Sequence, residues 1–380
     1  MSIDFEYIPS PCFVLDETLL IKNLELIKQV QERAGVNIIL ALKGFSMWSA
    51  FPIVKEYIKG AAASGLHEAR LIHEELGMDA HTYSPAFKGE DIPEIIKYSS
   101  HITFNSLNQY KKYIEVLRGS FKIVSPGLRV NPEFSEVETE LYNPCAPGTR
   151  LGITADQLGD ELPQYIEGLH FHTLCESGSL DLEKTLKAFE EKFGKYLHKV
   201  KWVNMGGGHL MTREGYDINH LVDLLVRFRE KYDVEVFLEP GSAFAWNTGY
   251  LVSSVIDVVE NKGIKTAILD ISFSAHMPDC LEMPYHPGIF GADSEPVPGK
   301  PTYRMGGNSC LAGDWLGSWS FDKELKPGDK IIFEDMIHYT MVKTTFFNGV
   351  QHPSIGIWND TDGFRMVRKF GYEDYKNKLS

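Results

Sequence analysis

The chain has 380 residues, and no apolar run in it approaches the roughly 20 that a membrane helix needs, so a spanning role is not expected. Cysteine is scarce: Cys12, Cys145, Cys175, Cys280 and Cys310 are scattered without metal-ligand spacing, and their odd number argues against a disulfide framework. Basic excess is lacking too. Lys and Arg number 38 against 52 Asp and Glu, a formal net charge of -14, which disfavours nucleic acid because phosphate binding needs clustered cations. The acidity suits a cationic substrate, but it equally confers solubility, and charge alone does not choose. The opening stretch Met1–Glu6 carries no basic and then apolar leader, so a reducing cytoplasm is the expected location. There is no low-complexity segment and no long linker.

What is present is a rhythm. Short apolar runs alternate with amphipathic stretches from about residue 36 to residue 245. Strands are expected at 37–43, 60–64, 80–84, 101–105, 121–124, 167–173, 201–204 and 234–239. Helices are expected between most of them, at 46–59, 66–76, 92–98, 107–117, 182–197 and 218–231. Eight strands with intervening helices favour a (β/α)8 TIM-like barrel over an open doubly wound sheet. After Trp246 the texture becomes β-rich, with strands expected at 251–260, 265–271, 330–334 and 338–346. The expected organisation is α/β: an N-terminal strand within 1–16 pairing with the C-terminal sheet, a barrel over 17–245, and a β-sandwich or β-barrel domain over 246–380.

The residues with chemical potential sit where a barrel builds its site, at strand C-terminal ends. Lys43 closes the apolar run Val36–Leu42, and desolvation there would lower its pKa and free the amine as a nucleophile; a lysine that merely reaches solvent is the plainer alternative. In Gly168-Leu169-His170-Phe171-His172 the two histidines point the same way, and His172 is better placed at the strand end. Asn204-Met205-Gly206-Gly207-Gly208 offers backbone N–H groups to a phosphate. Glu239-Pro240-Gly241-Ser242 places a carboxylate and a glycine turn after the eighth strand. Farther on, Gly306–Asp314 is a glycine-rich loop carrying Cys310 and Asp314, and Tyr339 is either a core aromatic or a phosphate-binding phenol. Together these ask for an aldehyde at Lys43, an aromatic ring at His172, a ring nitrogen at Glu239 and a phosphate at the glycines. Pyridoxal 5'-phosphate has all four.

In the order and spacing of these motifs the chain resembles the pyridoxal-phosphate decarboxylases of the alanine-racemase-like fold, the group of ornithine and diaminopimelate decarboxylases, over nearly its whole length. Within that group it is most similar to the carboxynorspermidine/carboxyspermidine decarboxylases, through Ala41–Phe45, Ala275–Asp279 with Glu282–Tyr285, and Cys310–Asp314. The resemblance implies that Lys43 holds the cofactor, His172 stacks on it and Glu239 meets its ring nitrogen. The turn at Gly241 and Ser242 is expected to offer further N–H donors to the cofactor, and Cys310 or Lys43 is expected to return the proton after CO2 leaves. The resemblance also implies that Gly206, Gly207, Gly208 and Tyr339 hold the phosphate. It implies a homodimer in which the Cys310 loop reaches the partner's site.

Departures matter. Ser242 stands where ornithine-type enzymes have arginine, and Leu174-Cys175 replaces the usual Gly-Ser. The stretch 283–287 lacks the arginine that diaminopimelate enzymes use for a distal carboxylate. A distal amine is therefore expected, with Asp314, Asp279 and Glu282 as its carboxylate candidates and His276 and Asp270 behind them. The expected partner is a small carboxylated polyamine, with no nucleic acid, membrane or metal. The rivals are another basic amino-acid decarboxylase, a racemase, a cofactor-binding regulatory protein and a metal-dependent hydrolase.

Overall fold

The computed structural model describes residues 3–283 and 285–380; Met1 and Ser2, in the opening stretch, and Pro284, in the 282–285 motif, lie outside the described residues. Contacts divide the chain into residues 23–244 and residues 1–22 with 245–380.

In the first unit, parallel strands form at Asn37–Ile38 with Leu40–Ala41, Ala61–Ala63, Ala80–Tyr83, Ser99–Phe104, Ser125–Arg129, Gly168–His170, Trp202–Asn204 and Glu235–Leu238. The first two pieces are one strand whose bonds alternate sides: the N–H of Ile39 goes to Leu238 O, that of Leu40 to Gly60 O and that of Ala41 to Pro240 O. The last strand thus pairs with the first, and eight parallel strands close into a barrel. The long outer helices Leu107–Arg118, Ser179–Leu197 and Ile218–Tyr232 each bury one apolar face. Ser106 and Asp217 cap two of them by accepting the N–H of Gln109 and His220.

The barrel interior holds Ile39, Ala41, Ala62, Trp202 and Phe237. Two imidazoles, His81 and His101, stack among them with centroids 3.8 Å apart. The Trp202 indole needs two glycines: a Cβ on Gly127 or Gly168 would stand 2.4 or 2.0 Å from its ring. This corrects the fifth strand. It is Ser125–Arg129, not 121–124, and Phe121 and Ile123 are fully exposed. Ser125-Pro126-Gly127 reads as a breaker in sequence, whereas here the glycine makes room for a ring.

In the second unit, Cys12–Asp16 lies between Gly249–Asn261, antiparallel, and Ser354–Asn359, parallel. The sheet continues through Ile264–Leu269, Thr302–Gly306 and Trp315–Phe321 on one side and Gly363–Arg368 on the other, with Lys330–Glu334 also on Gly249–Asn261. Phe5, Ile8, Cys12, Val14, Tyr250 and Val252 pack one of its cores. The expected strand 338–346 is instead a run of turns, in which Tyr339 has φ +20 and accepts the N–H of Lys343 on its carbonyl. Among the described residues, no helix is long and apolar enough to cross a membrane.

Candidate active site

The strand C-terminal ends bring Lys43, Arg129, His170, His172, Asn204 and Glu239 into one electrostatic neighbourhood. Lys43 follows the first strand in a turn closed by the N–H of Gly44 on Ala41 O. Packing at the strand end lowers its pKa by desolvation and Arg129 lowers it further, while Glu239 pulls the other way. The side chain itself is exposed, so the amine is reachable from solvent. A fraction of uncharged, reachable amine is the chemistry a carbonyl-trapping lysine needs.

Glu239 follows the eighth strand and is buried. One oxygen, Oε1, accepts Nδ2–H of Asn204 at 2.6 Å, and the other, Oε2, lies 3.7 Å from His170 Nε2. Burial pushes its pKa up, and the Asn204 bond, Lys43 and Arg129 oppose that rise. His170 is buried, with neither ring nitrogen hydrogen-bonded among the described residues, and it meets the Tyr83 ring edge-on at 5.5 Å.

His172 accepts the N–H of Gly207 on Nδ1 at 2.9 Å, which fixes its ring and leaves the proton of the neutral form on Nε2. Burial, Lys43 and Arg129 keep it neutral by lowering its pKa well below 6.5. Gly206 and Gly207 answer to close packing as much as to any ligand. A Cβ at Gly206 would stand 2.6 Å from Phe171 O, and one at Gly207 would stand 2.5 Å from Glu239 O. Their N–H groups already serve Asn204 and His172, so among the described residues Gly208 supplies the N–H of this turn that is without a bond.

Sequence reasoning missed three members of this set: Arg129, Tyr83 and Asn204. Arg129 ends the fifth strand, donates to His172 O at 3.2 Å and lies 4.7 Å from the Tyr83 ring centroid. A cation closing Gly127-Leu128 was the available signal, of the same kind as Lys43 closing its own run. Tyr83 in turn donates to Asn105 Oδ1 at 2.8 Å.

His170, His172 and Glu239 also place three ligand-type atoms within 4.8 Å of one another. A divalent cation there would face Lys43 and Arg129, whose charges already act on both imidazoles, and one imidazole nitrogen is engaged by Gly207. An organic group carrying an aldehyde and a ring nitrogen suits the set better.

Gly241 and Ser242 follow Glu239 in the barrel unit, and the remaining sequence candidates lie in the sheet unit. Cys310 is exposed, and its N–H donates to Asn348 Oδ1 at 2.7 Å. Asp314, expected to meet substrate nitrogens, is instead buried, with its carboxylate oxygens accepting the N–H of Ser274 at 3.0 Å and of Ser309 at 3.1 Å. Asp270 is committed similarly, to Ser10 Oγ, Ser253 Oγ and the N–H of Ser254. Glu282 pairs with Lys343. Backbone donors, serine hydroxyls and a lysine distant in sequence thus already engage these three carboxylates. Asp279 differs: Oδ2 accepts Thr340 Oγ1–H at 2.8 Å, while Oδ1 is buried with no hydrogen bond. His276 is fully buried and accepts the N–H of Ser272 on Nδ1, and burial lowers its pKa to about 3.

Known proteins extend these observations. Residues 12–337 match the family model described as "Pyridoxal-dependent decarboxylase, C-terminal sheet domain". The carboxyaminopropylagmatine decarboxylase of Synechocystis sp. is 51% identical, over 98% of this chain and 96% of that protein. The carboxynorspermidine/carboxyspermidine decarboxylase of Campylobacter jejuni is 46% identical, over 98% of both. The crystal structure of carboxynorspermidine decarboxylase from Campylobacter jejuni, complexed with norspermidine, superposes with a TM-score of 0.91 at 45% identity, covering 98% of this chain and 100% of that one. With a desolvated lysine, a fixed neutral imidazole and a buried carboxylate at the mouth of a barrel, this chain belongs to the pyridoxal-dependent decarboxylases.

Proposed function

We propose that the protein removes CO2 from carboxynorspermidine or carboxyspermidine, giving norspermidine or spermidine, with pyridoxal 5'-phosphate held in the barrel. The observation that carries this reading is the convergence of Lys43, His172 and Glu239. The residues fit the cofactor: a reachable amine of lowered pKa, a ring fixed by Gly207, a carboxylate with one oxygen free of a close donor, and an N–H at Gly208 for phosphate. Gly241 and Ser242, just beyond Glu239, are proposed to add to the phosphate's surroundings in place of the arginine of ornithine-type enzymes.

The cofactor, when bound, supplies a sink for the electrons left behind when the carboxylate departs as CO2. The protein's share is positioning and charge. Lys43 Nζ, its pKa lowered by burial and by Arg129, offers the amine that would hold the aldehyde. Glu239, with Oε1 held by Asn204, would meet the ring nitrogen through its other oxygen and stabilise a proton there. His172, neutral and fixed, presents a ring face without adding a cation. For Cys310 as the group returning a proton to the α-carbon, and for Tyr339 at the phosphate, support comes from the sequence resemblance alone. Asp279, through its unbonded Oδ1, is the proposed carboxylate for a distal amine.

The 51% identity to a carboxyaminopropylagmatine decarboxylase favours a second reading, in which the distal group is a guanidinium. The test is a rank order of kcat/KM for carboxynorspermidine, carboxyspermidine and carboxyaminopropylagmatine on the cofactor-loaded protein. Preference for either of the first two supports the proposal, and preference for the third replaces it with the second reading. A cytoplasmic homodimer completes the proposal; the exposed Cys310 and Leu311 support an assembly that covers their loop, and sedimentation checks it.

A further inference from the structure

Asn204, Gly206 and Glu239 form a closed ring of three hydrogen bonds. The N–H of Gly206 donates to Asn204 Oδ1 at 2.9 Å, Asn204 Nδ2 donates to Glu239 Oε1 at 2.6 Å, and the N–H of Glu239 donates to Gly206 O at 2.7 Å. The ring settles which way round the Asn204 amide lies. A backbone N–H can only donate, so the atom it meets is Oδ1, and the atom facing Glu239 is the NH2 donor. Glycine is the residue this turn takes, since φ at Gly206 is +69 and a Cβ there would stand 2.6 Å from Phe171 O.

We propose that Asn204 is a positioning residue for the decarboxylation: by presenting only a donor to Oε1, it keeps Glu239 an anion whose other oxygen is aimed at the cofactor's ring nitrogen. This rests on the cofactor site set out under Proposed function. The carboxylate is faced by Asn204 on the seventh strand, His170 on the sixth, Lys43 after the first and Arg129 on the fifth. Burial alone would favour its protonation, and a protonated Glu239 has lost the charge that holds a proton on the ring nitrogen. A donor fixed at 2.6 Å counters that without bringing another charge into the recess.

Asn204→Asp separates this role from a purely architectural one. The variant keeps Oδ1 for Gly206, but sets a carboxyl oxygen against Oε1, so the two carboxylates must share one proton. That proton leaves to solvent as pH rises, and the two anions then repel. The pH profile of kcat should therefore gain a limb that falls with rising pH and that the unaltered protein lacks. The absorbance of the bound pyridoxal phosphate should titrate with the same midpoint. Asn204→Ala should lower kcat about tenfold or more, the scale of losing a hydrogen bond to a charged group. Its KM should stay within about threefold of that of the unaltered protein. An Asn204→Asp profile parallel to the unaltered one, with no new ionisation in the spectrum, would overturn the proposal and leave Asn204 as a tie for Gly206. Should Asn204→Asp not fold, an undiminished kcat in Asn204→Ala would overturn it equally. Failure of the unaltered protein to bind pyridoxal phosphate at all would instead overturn the reading of the site, and this proposal with it.

Discussion

Gly44 and Gly241 meet backbone to backbone: a Cβ on Gly44 would stand 2.7 Å from the Cα of Gly241, and one on Gly241 would stand 2.9 Å from the Cα of Gly44. The turn that carries Lys43 is thereby pressed against the turn that follows Glu239, and the bond of Ala41 N–H to Pro240 O holds the two together. Proximity of an amine and a carboxylate from opposite ends of the barrel sequence is a product of closure, not of either motif.

Gly44→Ala should therefore act on both stability and cofactor binding. Backbone cannot yield as a flexible side chain can, so the loss in urea denaturation should be about 1–3 kcal/mol. Displacement of Lys43 should also weaken pyridoxal phosphate binding, read by titration of its absorbance. Unchanged stability and unchanged cofactor affinity would mean that the two turns are not held together as described.

Asp314 offers a test that separates architecture from recognition. With its oxygens on the N–H groups of Ser274 and Ser309, Asp314→Asn turns a donor toward one of them. A loss of about 1–3 kcal/mol is expected from one buried group left unsatisfied. KM for the carboxylated polyamine should change little in the folded variant. A large rise in KM with stability intact would return Asp314 to the role that its position in a glycine loop suggests.

Acid should destabilise the barrel through its histidines. His81, His101, His170, His172 and His209 all have pKa values lowered by burial, those of His101 and His209 to about 4. In the unfolded chain each returns to 6.5. Below that value the unfolded chain binds protons that the fold does not, so stability is full above about pH 6.5 and falls as pH drops towards 4. Within that window each such histidine contributes a slope of about 1.4 kcal/mol per pH unit. Urea midpoints at pH 7.5 and pH 5 measure the fall, and His101→Gln should make it shallower by one proton's worth. A pH-independent midpoint would contradict the neutral, stacked His81–His101 pair.

The sequence makes part of this site legible and hides the rest for identifiable reasons. Lys43, His172 and Glu239 stand out because a polar group at the end of an apolar run needs a cause, and barrel topology then collects such ends on one face. Arg129 obeys the same rule but follows Pro126 and Gly127, which mask its strand; the Trp202 ring that requires Gly127 lies 75 residues away in sequence, at a distance no local pattern reports. The run 121–124 is apolar yet exposed, and 338–346 has strand-forming residues yet turns, because hydropathy and propensity do not say which neighbour is available. The acids of the sheet unit show a different limit. Asp270, Glu282 and Asp314 look alike as carboxylates near glycines and prolines, and only the donors around each show that Asp279 alone among the four keeps a buried oxygen without a bond.

Whether the Lys43 amine holds a cofactor that removes CO2 from a carboxylated polyamine is read from CO2 release from carboxynorspermidine by the purified protein loaded with pyridoxal phosphate, against Lys43→Ala under the same conditions. Release by the unaltered protein and none above background by the variant is the predicted result. Equal release by both, or none from the unaltered protein with cofactor bound, would contradict the account.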